Sequence, residues 1–265
     1  YGEGHVKFMN IKSSIQKNDI LEALKRNEFF TLYQPKVYSE SGKLASIEAL
    51  IRWKRNNSII YPLEFIPMCE ENGLVYDIDM YMIRQVITQI NELKKNNKKI
   101  IPISVNIYKG TLMEENFIDT IDELFGNMNI NNYVEFEITE RGILTEDIDK
   151  IAEVFKKLKE RNFRIAVDDY GTGSSNLLFL AKTNVDIIKL DKSIISNIHE
   201  NTKAQYIIEA LITLSKKLDT DLVVEGVENI KEFKFLKDIG CKIIQGYYFS
   251  KPVNISDIKL SYDIL

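Results

Sequence analysis

FFTLYQPKVYSESGKLASIEALIRW, Phe29–Trp53, contains two runs rich in β-branched and aromatic residues, "FFTLYQP" and "LASIEALIRW", joined by "KVYSESGK". That connection is too short to hold a crossover helix, so the two runs predict an antiparallel hairpin. Beyond Trp53 the pattern changes. The apolar runs "IIPISVN", "VEFEITE", "FRIAVDD", "VDIIKLD", "DLVVEGV" and "KIIQGYYF" alternate with amphipathic helical stretches, among them 77–96, 147–161, 203–218 and 231–239. Eight strands with intervening helices predict an α/β fold, a (β/α)8 barrel, whose usual size is about 250 residues. The hairpin makes it a modified barrel with an antiparallel first strand. No linker, low-complexity segment or internal repeat divides the chain, which predicts one domain over residues 15–265. Residues 1–14 are then an N-terminal extension or upstream linker.

The totals narrow the chemistry. With 45% hydrophobic and 28% charged residues over 265 positions, the chain falls in the ordinary soluble range and can bury a substantial core. A net charge of −4 argues against general affinity for a nucleic acid polymer, which needs a basic face. The densest basic run, "KKNNKK" (Lys94–Lys99), closes a predicted helix, where cations complement the negative end of the dipole. Cys69 and Cys241 lie far apart and outside any CxxC, as in reduced, cytoplasmic proteins. No apolar run approaches the roughly 18 residues that span a bilayer, so no membrane contact is expected. With only His5 and His199 present, a metal would have to be held by oxygen, which selects Mg²⁺, Mn²⁺ or Ca²⁺.

Each predicted strand carries a polar residue at or near its end: Gln34, Glu48 with Arg52, Asn106, Glu137 with Glu140, Asp168 with Asp169, Lys189 with Asp191, Glu225 with Glu228, and Gln245. In such barrels the C-terminal strand ends form the active-site face. A polar residue in an apolar strand costs free energy unless it is paired, and a ring of carboxylates needs neutralising cations. "AVDDYGTGSS" (Ala166–Ser175) sharpens the point. Its glycines could be read as a dinucleotide loop, but Asn176 replaces the third glycine and Lys189 stands where an acidic strand end is needed about 20 residues later. A helix cap would explain Asp169 alone. Two vicinal carboxylates suit a pair of metal ions roughly 4 Å apart, one residue bridging and the other serving a single ion.

Taken in order, "EALIR" (Glu48–Arg52), "SVN" (Ser104–Asn106), "EITE" (Glu137–Glu140), "DDYGTGSS" (Asp168–Ser175), "KLD" (Lys189–Asp191), "EGVE" (Glu225–Glu228) and "QGYYF" (Gln245–Phe249) resemble the motifs of the EAL-domain cyclic di-GMP phosphodiesterases of bacteria. "YQPKV", "FIPMCEENGL" and "SKPV" fit the same pattern, and the resemblance runs from about Ile15 to Val253. It implies hydrolysis of cyclic di-GMP to linear pGpG with two Mg²⁺ or Mn²⁺ ions per site. By position, Glu48, Asn106, Glu137 and Asp168 would hold one metal, and Asp168 with Asp169 the second. Glu225 would act as general base or orient the attacking water, and Lys189 would contact that water or the phosphate. Gln34, Arg52, Asp191, Glu228 and Gln245 would reach substrate, and Glu140 would anchor the loop after the strand that ends in Asp168. The resemblance also implies a homodimer, a cytoplasmic bacterial setting and attachment to upstream regulatory domains.

Each assignment has a structural counterpart. Glu48 with Arg52 could form a strand-end ion pair, Lys189 could snorkel, Asp191 and Glu140 could cap loops, and Gln34 and Gln245 could bond to backbone. Tyr247, Tyr248 and Phe249 read as packing residues. The chain departs from the usual family pattern at Ser174–Asn176, at Lys192 and at Tyr108, which puts loop rigidity and the dimer in question but removes no predicted ligand. The competing hypothesis is a catalytically silent barrel that binds cyclic di-GMP or a protein partner. Retention of every acidic ligand favours the enzyme, because unneutralised carboxylates are costly.

Overall fold

The computed structural model describes residues 15–139, 143–171, 177–196 and 198–264. Among them a nine-stranded sheet comprises β1 (Phe29–Tyr38), β2 (Leu44–Arg55), β3 (Ser58–Ile60), β4 (Ile103–Asn106), β5 (Val134–Thr139), β6 (Arg164–Tyr170), β7 (Ile187–Leu190), β8 (Asp221–Val224) and β9 (Ile243–Gln245). Its order is β1-β9-β8-β7-β6-β5-β4-β2-β3, and the β1–β2 pairing closes eight of the strands into a barrel. The hairpin expectation holds: β1 runs antiparallel to β2 and to β9, whereas β2 and β4 through β9 run parallel. The sequence reading did not include β3, a short antiparallel return against the end of β2 that lies outside the closed ring.

The described α-helices are α1 (Lys17–Lys25), α2 (Pro62–Glu71), α3 (Val75–Lys95), α4 (Lys109–Leu112), α5 (Phe117–Phe125), α6 (Ile148–Glu160), α7 (Leu177–Lys182), α8 (Lys192–Ile195), α9 (Thr202–Lys217) and α10 (Ile230–Asp238). The four helices expected from periodicity correspond to α3, α6, α9 and α10, with ends shifted by one or two residues. Two of them start on side-chain caps. Asn201 accepts from Ala204 N–H at 3.1 Å, and Asn229 accepts from Lys231 and Glu232 N–H, which satisfies donors that the first helical turn leaves open.

Side chains on a strand alternate between faces, and here the alternation sorts chemistry. Ile47, Ala49 and Trp53 on β2, Val105 on β4, Phe136 and Ile138 on β5, and Ile165 and Val167 on β6 face the helices in one large buried cluster. Trp53 shows the packing: it is fully buried, with Phe29 at 5.4 Å and Phe65 at 5.9 Å between ring centroids, and its indole N–H donates to Glu28. The opposite parity points into the barrel. There the apolar filling is small, limited to Ala166, Ile187, Val223 and Ile243 with Ala45 packed against them. The rest of the described interior is polar, and that polarity positions the site.

Candidate active site

Lys189 is the hub. It is fully buried on β7, and its Nζ lies 2.6 Å from Glu137 Oε2, 2.7 Å from Glu225 Oε1, 3.2 Å from Asp168 Oδ1 and 3.7 Å from Glu48 Oε2. Four carboxylates from β2, β5, β6 and the end of β8 therefore converge on one ammonium at the C-terminal mouth of the parallel strands. Strand register explains the meeting: Asn106 pairs with Glu137, and Asp168 with Thr139, so neighbouring strands end at one level. The snorkelling alternative for Lys189 does not hold, because its charged end lies among carboxylates and away from water.

Amides hold Glu48. Asn106 Nδ2 donates to Oε1 at 3.0 Å, leaving the amide oxygen of Asn106 as the atom that could meet a cation, and Gln245 Nε2 donates to Oε2 at 2.7 Å. Gln245 Nε2 also lies 3.3 Å from Gln34 Oε1, and Gln34 donates to the Ser250 carbonyl. Gln245 is thus tied to side chains, while Gln34 has the backbone bond expected of a buried glutamine. The chain after Gln245 approaches its neighbour closely: a Cβ added to Gly246 would lie 2.1 Å from Val227 O.

The paired aspartates sit at an irregularity. The β6–β7 register shifts between Val167 and Tyr170, and Asp169 adopts φ 55°, a left-handed conformation that aspartate tolerates better than most residues. Strict alternation breaks there, and Asp169 N–H turns back to donate to Asp168 Oδ1 at 2.9 Å.

The charges push one another as burial dictates. Burial raises Glu225 to about 8 against the pull of Lys189, and it raises Glu48 and Asp168 in the same direction. Glu137 is the exception: burial is outweighed by Lys189 and Lys36, which hold its carboxyl down to about 2. Burial works against charged Lys189, but the surrounding carboxylates dominate and keep it protonated.

Other predicted residues take more varied places. A cavity of about 190 Å³ is lined by Gln34, Glu48, Asp191, Glu225, Glu228 and Gln245, so six of the expected positions share one wall. Asp191 also caps α8, accepting from Ser193 N–H at 2.8 Å, which confirms the capping alternative for that side chain. Glu228 is exposed. Arg52 does not pair with Glu48 as a strand-end ion pair: its Nη1 donates to Ile51 O, its guanidinium lies 5.1 Å over the Tyr61 ring, and its buried Nε has no partner. Tyr248 and Phe249 pack on Phe233 as expected, whereas Tyr247 is 54% exposed at the cavity wall. Glu140 and Ser174–Asn176 lie outside the described residues.

Sequence reasoning missed Lys36 and Glu135. Lys36 is fully buried and donates to Glu137 Oε1 at 2.5 Å and to Ser104 Oγ at 2.8 Å, with Glu135 Oε2 at 3.3 Å. Arg164 joins Glu135 to Asp221 at 2.8 and 2.9 Å, so alternating charges run from the opposite mouth up to Lys189. The signal was parity: Lys36 follows Gln34 by two residues and Glu135 precedes Glu137 by two, each on the inward face.

The donor set fits divalent metal. Oxygens of Glu48, Glu137 and Asp168 lie within 4.8 Å of one another, and buried Gln245 Oε1 has no hydrogen-bond partner among the described residues. Lys189 and Lys36 together face more carboxylates than they can neutralise, an excess of negative charge that hard cations with oxygen ligands relieve.

Comparison with known proteins identifies the family. The EAL domain family matches residues 17–252. The chain is 30% identical over 251 residues to the probable cyclic di-GMP phosphodiesterase PdeG of Escherichia coli strain K12, covering 93% of this chain and 49% of PdeG. It is 31% identical over 242 residues to the oxygen sensor protein DosP of the same organism, covering 89% of this chain and 30% of DosP. The chain therefore spans half or less of these relatives. Among solved structures, the PaMucR phosphodiesterase in complex with c-di-GMP superposes with a TM-score of 0.83 at 26% identity, covering 90% of this chain and 97% of that one. An EAL domain protein from Listeria monocytogenes EGD-e superposes at 0.81 with 28% identity, covering 93% and 97%. No described helix is long and apolar enough to cross a membrane. By its barrel with one reversed strand, its ring of acidic strand ends and these matches, the chain belongs to the EAL domain family.

Proposed function

We propose that this domain hydrolyses cyclic di-GMP to linear pGpG with the help of two Mg²⁺ or Mn²⁺ ions. The observation that carries the proposal is the convergence of Glu48, Glu137 and Asp168 around Lys189 and Glu225 in a member of this family. Glu48, Asn106, Glu137 and Asp168 would hold one ion, and Asp168 with Asp169 the other. Bound there, the ions supply charge neutralisation, polarisation of the phosphodiester and a lowered pKa for water.

The chain's own residues do the remainder. Glu225 lines the cavity with its Oε1 2.7 Å from Lys189 Nζ, where the ionised carboxylate would take a proton from water. That water adds to phosphorus, one P–O bond of the ring breaks, and the leaving ribose oxygen gains a proton. Lys189 offers a point charge to the phosphoryl oxygens as negative charge builds. Arg52, with no carboxylate partner among the described residues and a face on Tyr61, would fork onto the second phosphate. Gln34, Asp191, Glu228 and Gln245 line the cavity that would receive a nucleotide. A homodimer and attachment to upstream regulatory domains belong to the same proposal, in keeping with the greater length of the relatives.

The test is chromatographic. The purified chain is incubated with cyclic di-GMP and Mg²⁺, Mn²⁺ or chelator, beside Glu48→Ala and Glu225→Gln. Metal-dependent pGpG that is lost in both variants supports the enzyme. Binding of cyclic di-GMP without turnover under any metal makes the domain a receptor instead.

A further inference from the structure

Lys36 takes no part in the chemistry just described, yet it makes the shortest contact to one of the proposed metal ligands. Four carboxylate oxygens gather at Lys189 Nζ, and the one that Glu137 contributes is Oε2, at 2.6 Å. Its other oxygen, Oε1, is held from beneath by Lys36 Nζ at 2.5 Å. The two oxygens of one carboxylate are therefore assigned to opposite sides, one to the mouth and one to the barrel interior.

Lys36 can do this because β1 is reversed. The strand enters antiparallel to both neighbours, with Lys36 level with Ser46 on β2 and Gln245 on β9. Its ammonium is completed by Ser104 Oγ at 2.8 Å and Glu135 Oε2 at 3.3 Å. Glu135 does not depend on Lys36, since Arg164 donates to its Oε1 at 2.8 Å and Ser46 Oγ to its Oε2 at 3.4 Å. Lys36 itself is wholly buried, with no route to solvent or substrate.

We propose that Lys36 is a positioning residue that sets the metal preference of the site by holding Glu137 Oε1, so that Glu137 meets a cation through Oε2 alone. The inference rests on the metal centre proposed above. Its chemical content concerns ligand count. Mg²⁺-like ions demand near-octahedral, one-oxygen-per-ligand coordination, whereas Ca²⁺ takes more oxygens and accepts bidentate carboxylates. A Glu137 that is denied its second oxygen disfavours the larger ion. Freed of Lys36, the carboxylate can swing both oxygens toward the mouth.

The experiment reads metal binding by calorimetry and does not depend on turnover. Mn²⁺ and Ca²⁺ affinities are measured separately for the wild-type chain, for Glu135→Gln, and for Lys36→Met combined with Glu135→Gln. The double change removes one buried charge of each sign, so that Glu137 does not simply gain an unbalanced neighbour. Glu135→Gln alone leaves Lys36 on Glu137 and keeps the wild-type preference. In the double variant the ratio of Ca²⁺ to Mn²⁺ affinity is expected to rise by about tenfold or more, as bidentate ligation becomes accessible. A role limited to stability would weaken both ions alike or neither, and an unchanged ratio in a folded double variant overturns the proposal. Should that variant not fold, Lys36→Leu with Glu135→Gln places a shorter apolar side chain at the same point, with no donor for Glu137 Oε1. The same shift is expected there, and its absence counts equally against Lys36. A wild-type chain that binds neither ion overturns the metal centre itself, an outcome visible before any variant is compared.

Discussion

Asp79→Asn separates a buried carboxyl from its charge. Asp79 is buried on α3, 6% exposed, and its Oδ2 accepts Tyr108 N–H at 2.9 Å. That bond fastens the backbone two residues beyond Asn106, just where β4 gives way to α4. Burial moves the carboxyl from 3.8 up to about 7, against the pull of the Tyr108 N–H. A folded pKa above the unfolded one means that the folded chain keeps its proton longer. The stability contributed by this group is therefore intact at low pH, falls as pH rises from about 4, and levels off above about 7. A separation of about 3 pH units at 1.4 kcal/mol each amounts to about 4 kcal/mol over the whole window, of which about 2.5–3 kcal/mol falls between pH 5 and pH 8.5. Asparagine keeps an acceptor for Tyr108 and cannot ionise. Urea unfolding of both proteins at the two pH values gives the change in their stability difference, from which other titrations cancel. The variant should gain about 2.5–3 kcal/mol on the wild type between pH 5 and pH 8.5. A difference that stays constant to within about 0.5 kcal/mol refutes the assignment of a buried, ionising Asp79.

Glu225→Gln should retain cyclic di-GMP binding while kcat for pGpG formation falls about 10²–10⁴-fold, the usual worth of a general base, as followed by chromatography. Lys189→Met leaves Glu48, Glu137, Asp168 and Glu225 without their shared cation and should destabilise the metal-free chain by about 3–5 kcal/mol in urea unfolding. Added Mn²⁺ should then raise its Tm by more than it raises that of the wild type, and an equal rise would count against a shared site. Gly246→Ala forces a methyl to within 2.1 Å of Val227 O, so either the backbone moves or the fold yields; a loss of about 1–3 kcal/mol and weaker substrate binding through Gln245 are expected in parallel melts and titrations.

Much of the barrel was legible because its signals are local. The connection 36–43 is too short for a crossover, which alone determined that β1 is reversed, and β-branched runs separated by amphipathic stretches located the parallel strands. The acidic strand ends were legible for the same reason: Glu48, Glu137, Asp168 and Glu225 interrupt apolar runs, where an unpaired charge has no business without a partner. Short elements were harder. β3, α4 and α8 span three or four residues each, and nothing in so short a window distinguishes them from turns.

What the sequence by itself determined is the order of elements and the identity of the groups at the mouth, because periodicity and residue chemistry are properties of short windows. Tertiary structure decided which groups share a charge. Arg52 turns to Tyr61 and away from Glu48, Asp191 caps α8 while lining the cavity, and Lys36 reaches Glu137 across 101 residues of chain. Those pairings depend on barrel closure and on the register of β1 against β2 and β9. A reversed strand presents its inward residues at heights set by its neighbours, and that height is a property of the closed sheet.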